Sequence, residues 1–293
     1  MYKRILVALD GSVQAEQALQ PALVLAKAMS AELILARVVP TLNQIAPSFE
    51  IPWQSKKAEK KQRQLATAYL RAMRTSGTKR AVRIDRAEVL SGPPATAINQ
   101  FASDEGVDLI VITNRGKTGL RPWRQGSVAM KLLRGAPCDT LMVRTDARET
   151  STFKRIVVAL DGSDFAESSL EPAMSIAKSL QAKMTFVRVT PPVHQAVGRA
   201  EAEAIMPTLQ EQVEQYLGGV RDRWTNGHDI DIEIEAQSGP IAQSILDLAE
   251  TKMADLIVLS AYGASGNKQS ILGGVANKTI LGARCAVLVV RPD

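Results

Sequence analysis

The chain repeats itself over most of its length. Residues 4–12, RILVALDGS, return as RIVVALDGS at 155–163, an offset of 151 positions. Further on, the Ser-Gly-Pro of 91–93 returns at 238–240, an offset of 147. A period of about 150 residues is the size of a whole domain and far exceeds that of a solenoid unit. The sequence therefore predicts two tandem copies of one fold.

The boundaries of the two copies follow from the same comparison. The offset changes by four residues between about 40 and 91, which indicates a surface connection that tolerates a length change. The segment 145–152, TDARETST, is short, polar and without periodicity, and it is typical of a linker. We therefore expect domain 1 over residues 1–145 and domain 2 over residues 153–293.

Within each copy, strand-like and helix-like segments alternate. The apolar run at 107–113 shows no polar alternation, which is typical of a strand buried on both faces. Strands that alternate with helices predict right-handed crossovers and a mainly parallel, doubly wound α/β sheet in each copy. In domain 1 we expect strands at 3–9, 32–39, 80–89, 107–113 and 139–144, and helices at 13–29, 53–75, 94–104 and 127–134.

Composition excludes several classes of protein. The chain has 293 residues, and no apolar run approaches the ~18–20 residues that a transmembrane helix needs. Its N-terminus has no long apolar signal segment. Two cysteines, which we expect to be small buried side chains, and two histidines argue against a disulfide framework and a transition-metal site. We therefore expect a cytoplasmic protein with no membrane partner.

Charge differs sharply between the copies. Residues 1–145 hold 22 Lys and Arg against 11 Asp and Glu, whereas residues 153–293 hold 13 against 17. The basic excess of domain 1 suits phosphate or nucleic acid, or it is simply a solvated surface. Aromatic residues make up only 4% of the chain, so a base-stacking platform is hard to build and nucleic acid is an unlikely partner.

The loop after the fourth strand of domain 1 suits a polyphosphate. Residues 113–127, TNRGKTGLRPWRQGS, combine three glycines with four cationic side chains just before a helix. Glycines let the backbone approach a ligand, and a helix N-terminus offers free N–H groups to an anion. The same segment could instead be a glycine-rich structural turn in which Ser127 caps the helix.

Two familiar nucleotide motifs are absent. The Walker A spacing would require glycine at Val111, and no Gly-x-Gly-x-x-Gly follows the first strand. No serine is paired with an evident histidine base, and no paired carboxylates lie in the glycine loops. These observations favour a binding or regulatory protein over an enzyme, with slow hydrolysis of a bound nucleotide as at most a side activity.

With these features the chain resembles the universal stress protein family in its tandem form. The family pattern is Gly-x-x-Gly, nine residues, then Gly-Ser or Gly-Thr. Domain 1 carries Thr113 for the first glycine and then matches at Gly116, Gly126 and Ser127. Domain 2 departs further, with Ser260 for the first glycine and Gly273-Gly274 at the end. Both copies also close with Ala-x-Cys-x-x-Leu-x-Val-Arg, at 136–144 and 283–291.

The resemblance implies an adenine nucleotide alpha hydrolase-like fold with strand order 3-2-1-4-5. It also implies a stress-response protein that binds ATP, ADP or AMP, with or without Mg²⁺, mainly in domain 1. Asp10 would meet adenine or ribose, although it could equally cap the following turn, and Val38 would line the adenine slot. The site residues expected in domain 1 are Ala8, Asp10, Ser12, Val38, Arg115, Gly116, Gly119, Gly126, Ser127 and Val128. Those expected to act more weakly in domain 2 are Asp161, Val189, Gly263, Gly266, Gly273 and Gly274.

The resemblance also bears on assembly. It suggests that the last strands, 139–144 and 286–291, can meet across a two-fold axis. Both strands are apolar and would otherwise leave an exposed sheet edge, and a short linker raises the effective concentration of one copy at the other. We expect a pseudo-two-fold pair within one chain, which is then a monomer or forms a homodimer. The alternatives are two independently tethered domains and, in function, a nucleotide-free dimerisation module for an unknown protein partner.

Amide hydrogen exchange tests the pairing. Residues 139–144 should exchange slowly in the full chain and markedly faster in domain 1 expressed alone at a concentration too low for dimers, because an unpaired edge strand opens more readily. Equal protection in both samples would contradict the paired arrangement.

Overall fold

The computed structural model divides into two compact units, Tyr2–Thr145 and Asp146–Asp293, which we call domain 1 and domain 2. The described residues are 1–39, 53–79, 84–116, 128–145, 152–193, 198–225, 230–264 and 272–292, and within 53–79 side chains are described for 57–75. In these residues no helix is long and apolar enough to cross a membrane.

Domain 1 is built on a parallel five-stranded sheet. The first strand pairs with the second and the fourth, the second with the third, and the fourth with the fifth. This gives the order β3-β2-β1-β4-β5 and confirms the predicted 3-2-1-4-5 topology. The strands are β1 (Arg4–Ala8), β2 (Glu32–Val39), β3 (Arg86–Ser91), β4 (Leu109–Thr113) and β5 (Asp139–Val143).

Domain 2 repeats this sheet. Its pairs are again parallel and give the order β8-β7-β6-β9-β10, which is the same 3-2-1-4-5 order counted within the domain. The strands are β6 (Arg155–Ala159), β7 (Lys183–Thr190), β8 (Ile232–Ser238), β9 (Leu256–Ser260) and β10 (Ala286–Val290).

Helices connect the strands in both domains. In domain 1 they are α1 (Val13–Glu16), α2 (Leu19–Met29), α3 (Trp53–Lys79), α4 (Pro94–Asp104) and α5 (Val128–Gly135). In domain 2 they are α6 (Asp164–Glu167), α7 (Leu170–Leu180), α8 (Arg199–Thr225), α9 (Ile241–Thr251) and α10 (Gly274–Gly282).

The prediction of one continuous helix over 13–29 is wrong, because α1 and α2 are separate. Pro21 lies in the first turn of α2, and in a continuous helix its ring would clash with the carbonyl of Gln17. Before α2 begins, the backbone N–H groups of Gln17 and Ala18 instead donate to the carbonyl oxygens three residues earlier, as in a 3₁₀ turn. Pro172 occupies the same position in α7, so the break is repeated in domain 2.

The buried core contains the central strands that the sequence predicted to be covered on both faces. All five residues of β4 are buried, and so are all five of β9, as expected for strands covered on both faces. Each fully buried Leu, Ile or Val stabilises the fold by about 1.5–3 kcal/mol relative to an exposed one. Cys285 is buried as expected, but Cys138 is only partly buried, so that part of the expectation is wrong.

A buried hydroxyl ties the N-terminus of domain 1 to its last strand. The Tyr2 hydroxyl donates a 2.6 Å hydrogen bond to Asp139 Oδ2, and both side chains are buried. Burial, reinforced by the Asp139 carboxylate, raises the pKa of Tyr2 well above its usual value of 10.0. The phenol therefore keeps its proton in the folded protein under conditions where an unfolded tyrosine loses it.

Substitution of Tyr2 tests this contact. Tyr2→Phe should lower the free energy of unfolding by about 1–3 kcal/mol at neutral pH, because Asp139 loses a buried donor. Above pH ~10 the free energy of unfolding of the natural chain should fall, since only the unfolded phenol ionises, and this fall should be smaller in the variant. Urea unfolding from pH 7 to 11 measures both effects. Identical pH slopes would contradict the assignment.

Candidate functional site

The turn that follows the first strand of each sheet is organised by an aspartate. The backbone N–H and hydroxyl of Ser12 donate to Asp10 Oδ1 at 2.9 and 2.5 Å, and the Ser12 hydroxyl accepts from the Ala15 N–H to cap α1. In domain 2, Ser163 donates to Asp161 Oδ1 at 2.9 and 2.6 Å in the same way. The turn-capping alternative for these aspartates therefore has a direct structural basis.

The second carboxylate oxygen reaches across to the loop after the fourth strand. Asp161 Oδ2 accepts a 2.7 Å hydrogen bond from the Ala264 backbone N–H. A Cβ built on Gly263 would lie 2.6 Å from that oxygen, and a Cβ on Gly116 would clash with Asp10 Oδ2. Glycine is therefore required at both positions by the close approach of the carboxylate.

In domain 2 this loop pair borders an open cleft of about 440 Å³. It lies at the carboxyl ends of the strands where the strand order reverses, which is where open α/β sheets bind ligands. The structure brings five of the six predicted residues of domain 2 together around it, and Gly266 lies outside the described residues. The five are Asp161, Val189, Gly263, Gly273 and Gly274.

In domain 1 the structure describes part of the predicted site. Ala8 and Val38 are partly buried at the ends of β1 and β2, and Arg115 lies two residues after β4. Val128 is 49% exposed at the start of α5, where it lines a groove against α4. Outside the described residues lie Gly119, Gly126 and Ser127.

Sequence reasoning missed a cluster of three side chains beside each Asp-Gly-Ser turn. In domain 1 the Tyr69 hydroxyl donates to Glu16 Oε1 at 3.0 Å, and Arg37 Cζ lies 4.8 Å from the Tyr69 ring centroid. In domain 2 Tyr216, Glu167 and Arg188 repeat these contacts at 2.9 and 4.9 Å. Comparison of the repeats carried the signal, because all three residue types recur at the offsets of 151 and 147.

The arginine of this cluster lies against the glycine of the turn. A Cβ built on Gly11 would be 2.9–3.0 Å from three guanidinium atoms of Arg37, and a Cβ on Gly162 would be 2.8–3.1 Å from those of Arg188. Nearly equal distances to three coplanar atoms put this point over the guanidinium face. Both glycines also have positive φ, +83° and +89°, so the position is closed to other residues for two separate reasons.

The tyrosines act as fixed neutral donors. Burial raises the pKa of Tyr69 and Tyr216, and the hydrogen bond to Glu16 or Glu167 adds to this effect. The neighbouring arginine lowers the same pKa by a smaller amount. Both hydroxyls therefore remain protonated at neutral pH and hold their glutamates in place.

The two sites differ at the residue before the glycine. Arg115 of domain 1 is replaced by Tyr262 in domain 2. The Tyr262 ring packs edge-on against Phe165 with centroids 6.2 Å apart, and its hydroxyl accepts a 2.9 Å hydrogen bond from Arg291. Domain 2 thus presents an aromatic ring to the cleft where domain 1 has a cation.

Two glycine substitutions test the contact between the loops. Gly263→Ala should lower the free energy of unfolding by about 1–3 kcal/mol, because the methyl group displaces Asp161 from the Ala264 N–H. Gly274→Ala is the matched control: no heavy atom lies within 4 Å of its built Cβ, so a change within about 0.5 kcal/mol is expected. Denaturant unfolding measures both, and equal effects would show that the carboxylate contact carries little stability.

Comparison with known proteins assigns both repeats to one family. The model of the universal stress protein family matches residues 1–144 and again 152–291. A universal stress protein of Methanocaldococcus jannaschii is 34% identical over 142 residues, which cover 47% of this chain and 82% of the relative. A Staphylococcus epidermidis protein described as a putative universal stress protein is 30% identical over 145 residues, covering 50% and 86%.

Solved structures show the same fold over the whole chain. A universal stress protein from Archaeoglobus fulgidus aligns with a TM-score of 0.68 at 20% identity, covering 98% of this chain and 96% of the other. A putative universal stress protein from Pseudomonas aeruginosa aligns with a TM-score of 0.67 at 19% identity, covering 100% and 94%. The double family match, one to each repeat, shows that the chain is a tandem member of the universal stress protein family.

Proposed function

We propose that this protein binds ATP or a related adenine nucleotide, mainly in domain 1, and acts as a regulatory binding protein rather than as a dedicated catalyst. The observation that carries the proposal is the close approach of the loops after β1 and β4. The Asp10 carboxylate packs on Gly116 at the point where the chain enters the glycine-rich segment. Gly116 therefore lies at the switch point of the sheet, where open α/β sheets bind ligands.

Charge supports domain 1 as the main site. The two domains differ in the segment that runs from the residue before Gly116 or Gly263 to the following helix. In domain 1 this segment contains Arg115, Lys117, Arg121 and Arg124, and in domain 2 its one cationic residue is Lys268. Ser127 can donate to a phosphate oxygen, and its counterpart Gly274 has no side chain. Phosphates carry most of the charge of ATP, so the domain with four cations should hold it more tightly.

The hydrogen bonds at the switch point support binding rather than catalysis. Asp161 already accepts three hydrogen bonds from its own chain, so both of its oxygens are engaged in joining the two loops. Mg²⁺ would enter as the companion of the phosphates. Among the described residues, no group of three or more His, Cys, Asp or Glu side chains could hold a metal ion.

Calorimetric titration of the full chain with ATP tests the proposal. We expect one tight site, and Ser127→Ala should weaken it about 10- to 150-fold, the value of one hydrogen bond to a charged phosphate. Gly126→Val should abolish it by blocking the approach of the backbone. Thr75→Ala, which removes a hydroxyl from the exposed surface of α3, is the matched control and should leave the affinity unchanged.

Other outcomes point elsewhere. Two equal ATP sites per chain would contradict the assignment to domain 1. No binding of ATP, ADP or AMP, together with no nucleotide released when the purified protein is denatured, would favour the nucleotide-free interaction module instead.

A further inference from the structure

The long helices α3 and α8 are the same element of the two repeats, but they carry opposite charges. Each has 27 residues, of which α3 holds eight Lys and Arg against one Glu, and α8 holds three Arg against five Asp and Glu. Each packs against its own sheet through buried apolar residues: Ala66 and Leu70 in α3, Val213 and Leu217 in α8. Most of the charge therefore lies on the sides that face away from the sheets.

The exposed side of α3 presents a row of cations. Its members are Lys57, Lys60, Lys61 and Arg71, and all four are exposed. In the part of the chain that the structure describes, none of them forms an ion pair with a carboxylate. From Lys57 to Arg71 the row extends about 21 Å, at 1.5 Å per residue. Like charges one turn apart on a helix repel one another, so this row favours an anionic partner.

The exposed side of α8 presents a row of carboxylates. Glu201, Glu211 and Glu214 are exposed, and none of them pairs with a cation of the described residues. Glu211 and Glu214 accept hydrogen bonds from the neutral amides of Gln215 and Gln210, at 3.3 and 3.2 Å, and so keep their charge. From Glu201 to Glu214 the row extends about 20 Å, nearly the length of the cation row of α3.

Charges of the opposite sign on each helix are already engaged or turned inward. In α3 the one acid, Glu59, is half-buried. In α8 each arginine pairs with a carboxylate of its own domain at 2.7–3.1 Å: Arg199 with Glu203, Arg221 with Asp222 and Arg223 with Glu167. Each row therefore acts with one sign of charge toward a partner.

Comparison of the repeats shows that the two copies of this helix have diverged in opposite directions. At the offset of 147, the four cations of α3 correspond to uncharged residues of α8, namely Ala204, Pro207, Thr208 and Gly218. The three carboxylates of α8 likewise correspond to Gln54, Gln64 and Thr67. A surface that only needs to be solvated does not require this separation of signs, because either charge is well hydrated.

We propose that α3 of one molecule docks against α8 of a second copy of this chain, with the cation row facing the carboxylate row. The second copy is favoured over other anionic partners because the chain itself supplies a face of equal length and opposite sign. The contact joins two unlike surfaces, so it is heterologous. Single exposed ion pairs contribute little, and the association therefore depends on the whole row and on low salt.

Sedimentation velocity of the full chain without nucleotide tests the salt dependence. We compare about 20 mM with about 500 mM NaCl, at which the Debye length is about 20 and 4 Å. The association constant should be at least tenfold higher at the lower salt concentration. Association through apolar strands would not weaken in this way, because added salt does not screen apolar contacts.

Charge reversal shows whether the two rows meet. One variant carries Lys57→Glu with Arg71→Glu, and the other carries Glu211→Lys with Glu214→Lys. Each alone should associate at least tenfold more weakly than the natural chain at low salt. An equimolar mixture should regain the natural association constant within about threefold, because one variant retains the cation row and the other retains the carboxylate row.

Controls separate this contact from overall charge and from folding. Each reversal changes the net charge of +6 by four, to +2 or +10, so overall charge repels the two variants in the mixture. Lys27→Glu with Lys131→Glu makes the same change at exposed sites of α2 and α5 and should leave the association unchanged. If a reversed variant does not fold, glutamine at the same positions replaces it, and the mixture should again associate more tightly than either component.

Three results would overturn the inference. The first is a natural chain whose association is the same at both salt concentrations, up to about 200 μM protein. The second is a folded reversed variant that associates as tightly as the natural chain. The third is a mixture that associates no better than its components, which would show that the two rows do not meet between molecules.

Discussion

A single carboxylate at the end of the first strand organises each domain. Asp161 accepts hydrogen bonds from Ser163 on its own turn and from Ala264 on the loop after the fourth strand. It thereby joins the two loops at the place where the strand order reverses and where a ligand can enter. Asp10 makes the same turn and packs on Gly116. The paired strands fix where the two loops begin, and the carboxylate fixes how closely the loops themselves approach.

The second constraint is the contact between arginine and glycine beside that turn. Gly11 and Gly162 have positive φ, and the guanidinium of Arg37 or Arg188 occupies the space that a side chain would need. The tyrosine, from α3 in domain 1 and from α8 in domain 2, packs its ring against the arginine, and its hydroxyl bonds the glutamate of α1 or α6. The Asp-Gly-Ser turn is thus supported both by its own hydrogen bonds and by a cation packed against its glycine.

The two domains share this framework and differ in what surrounds it. Domain 1 adds cations and a serine to the glycine-rich segment, whereas domain 2 has Tyr262 and Gly274 at two of those positions. Gene duplication within one chain allows such a division, since one copy can retain a property while the other changes. The framework determines where a ligand can bind, and the charged and aromatic residues around it determine which ligand is favoured.

The sequence by itself determined that there are two copies and that each forms a mainly parallel sheet, because the repeat and its hydrophobic periodicity are local signals. The strand order was implied by the family resemblance, since periodicity alone does not fix it. The resemblance also named five of the residues that line the domain 2 cleft, but not Arg188. Only the tertiary structure decided that Asp161 accepts from Ala264, 103 residues away, and that Tyr216 bonds Glu167, 49 residues away, while its ring packs on Arg188. Such contacts exist only after parallel crossovers bring the strand ends together, so no local pattern encodes them. The break before α2 was missed for another reason: helical periodicity continues through Pro21, and only the packed backbone reveals that its ring ends the preceding turn.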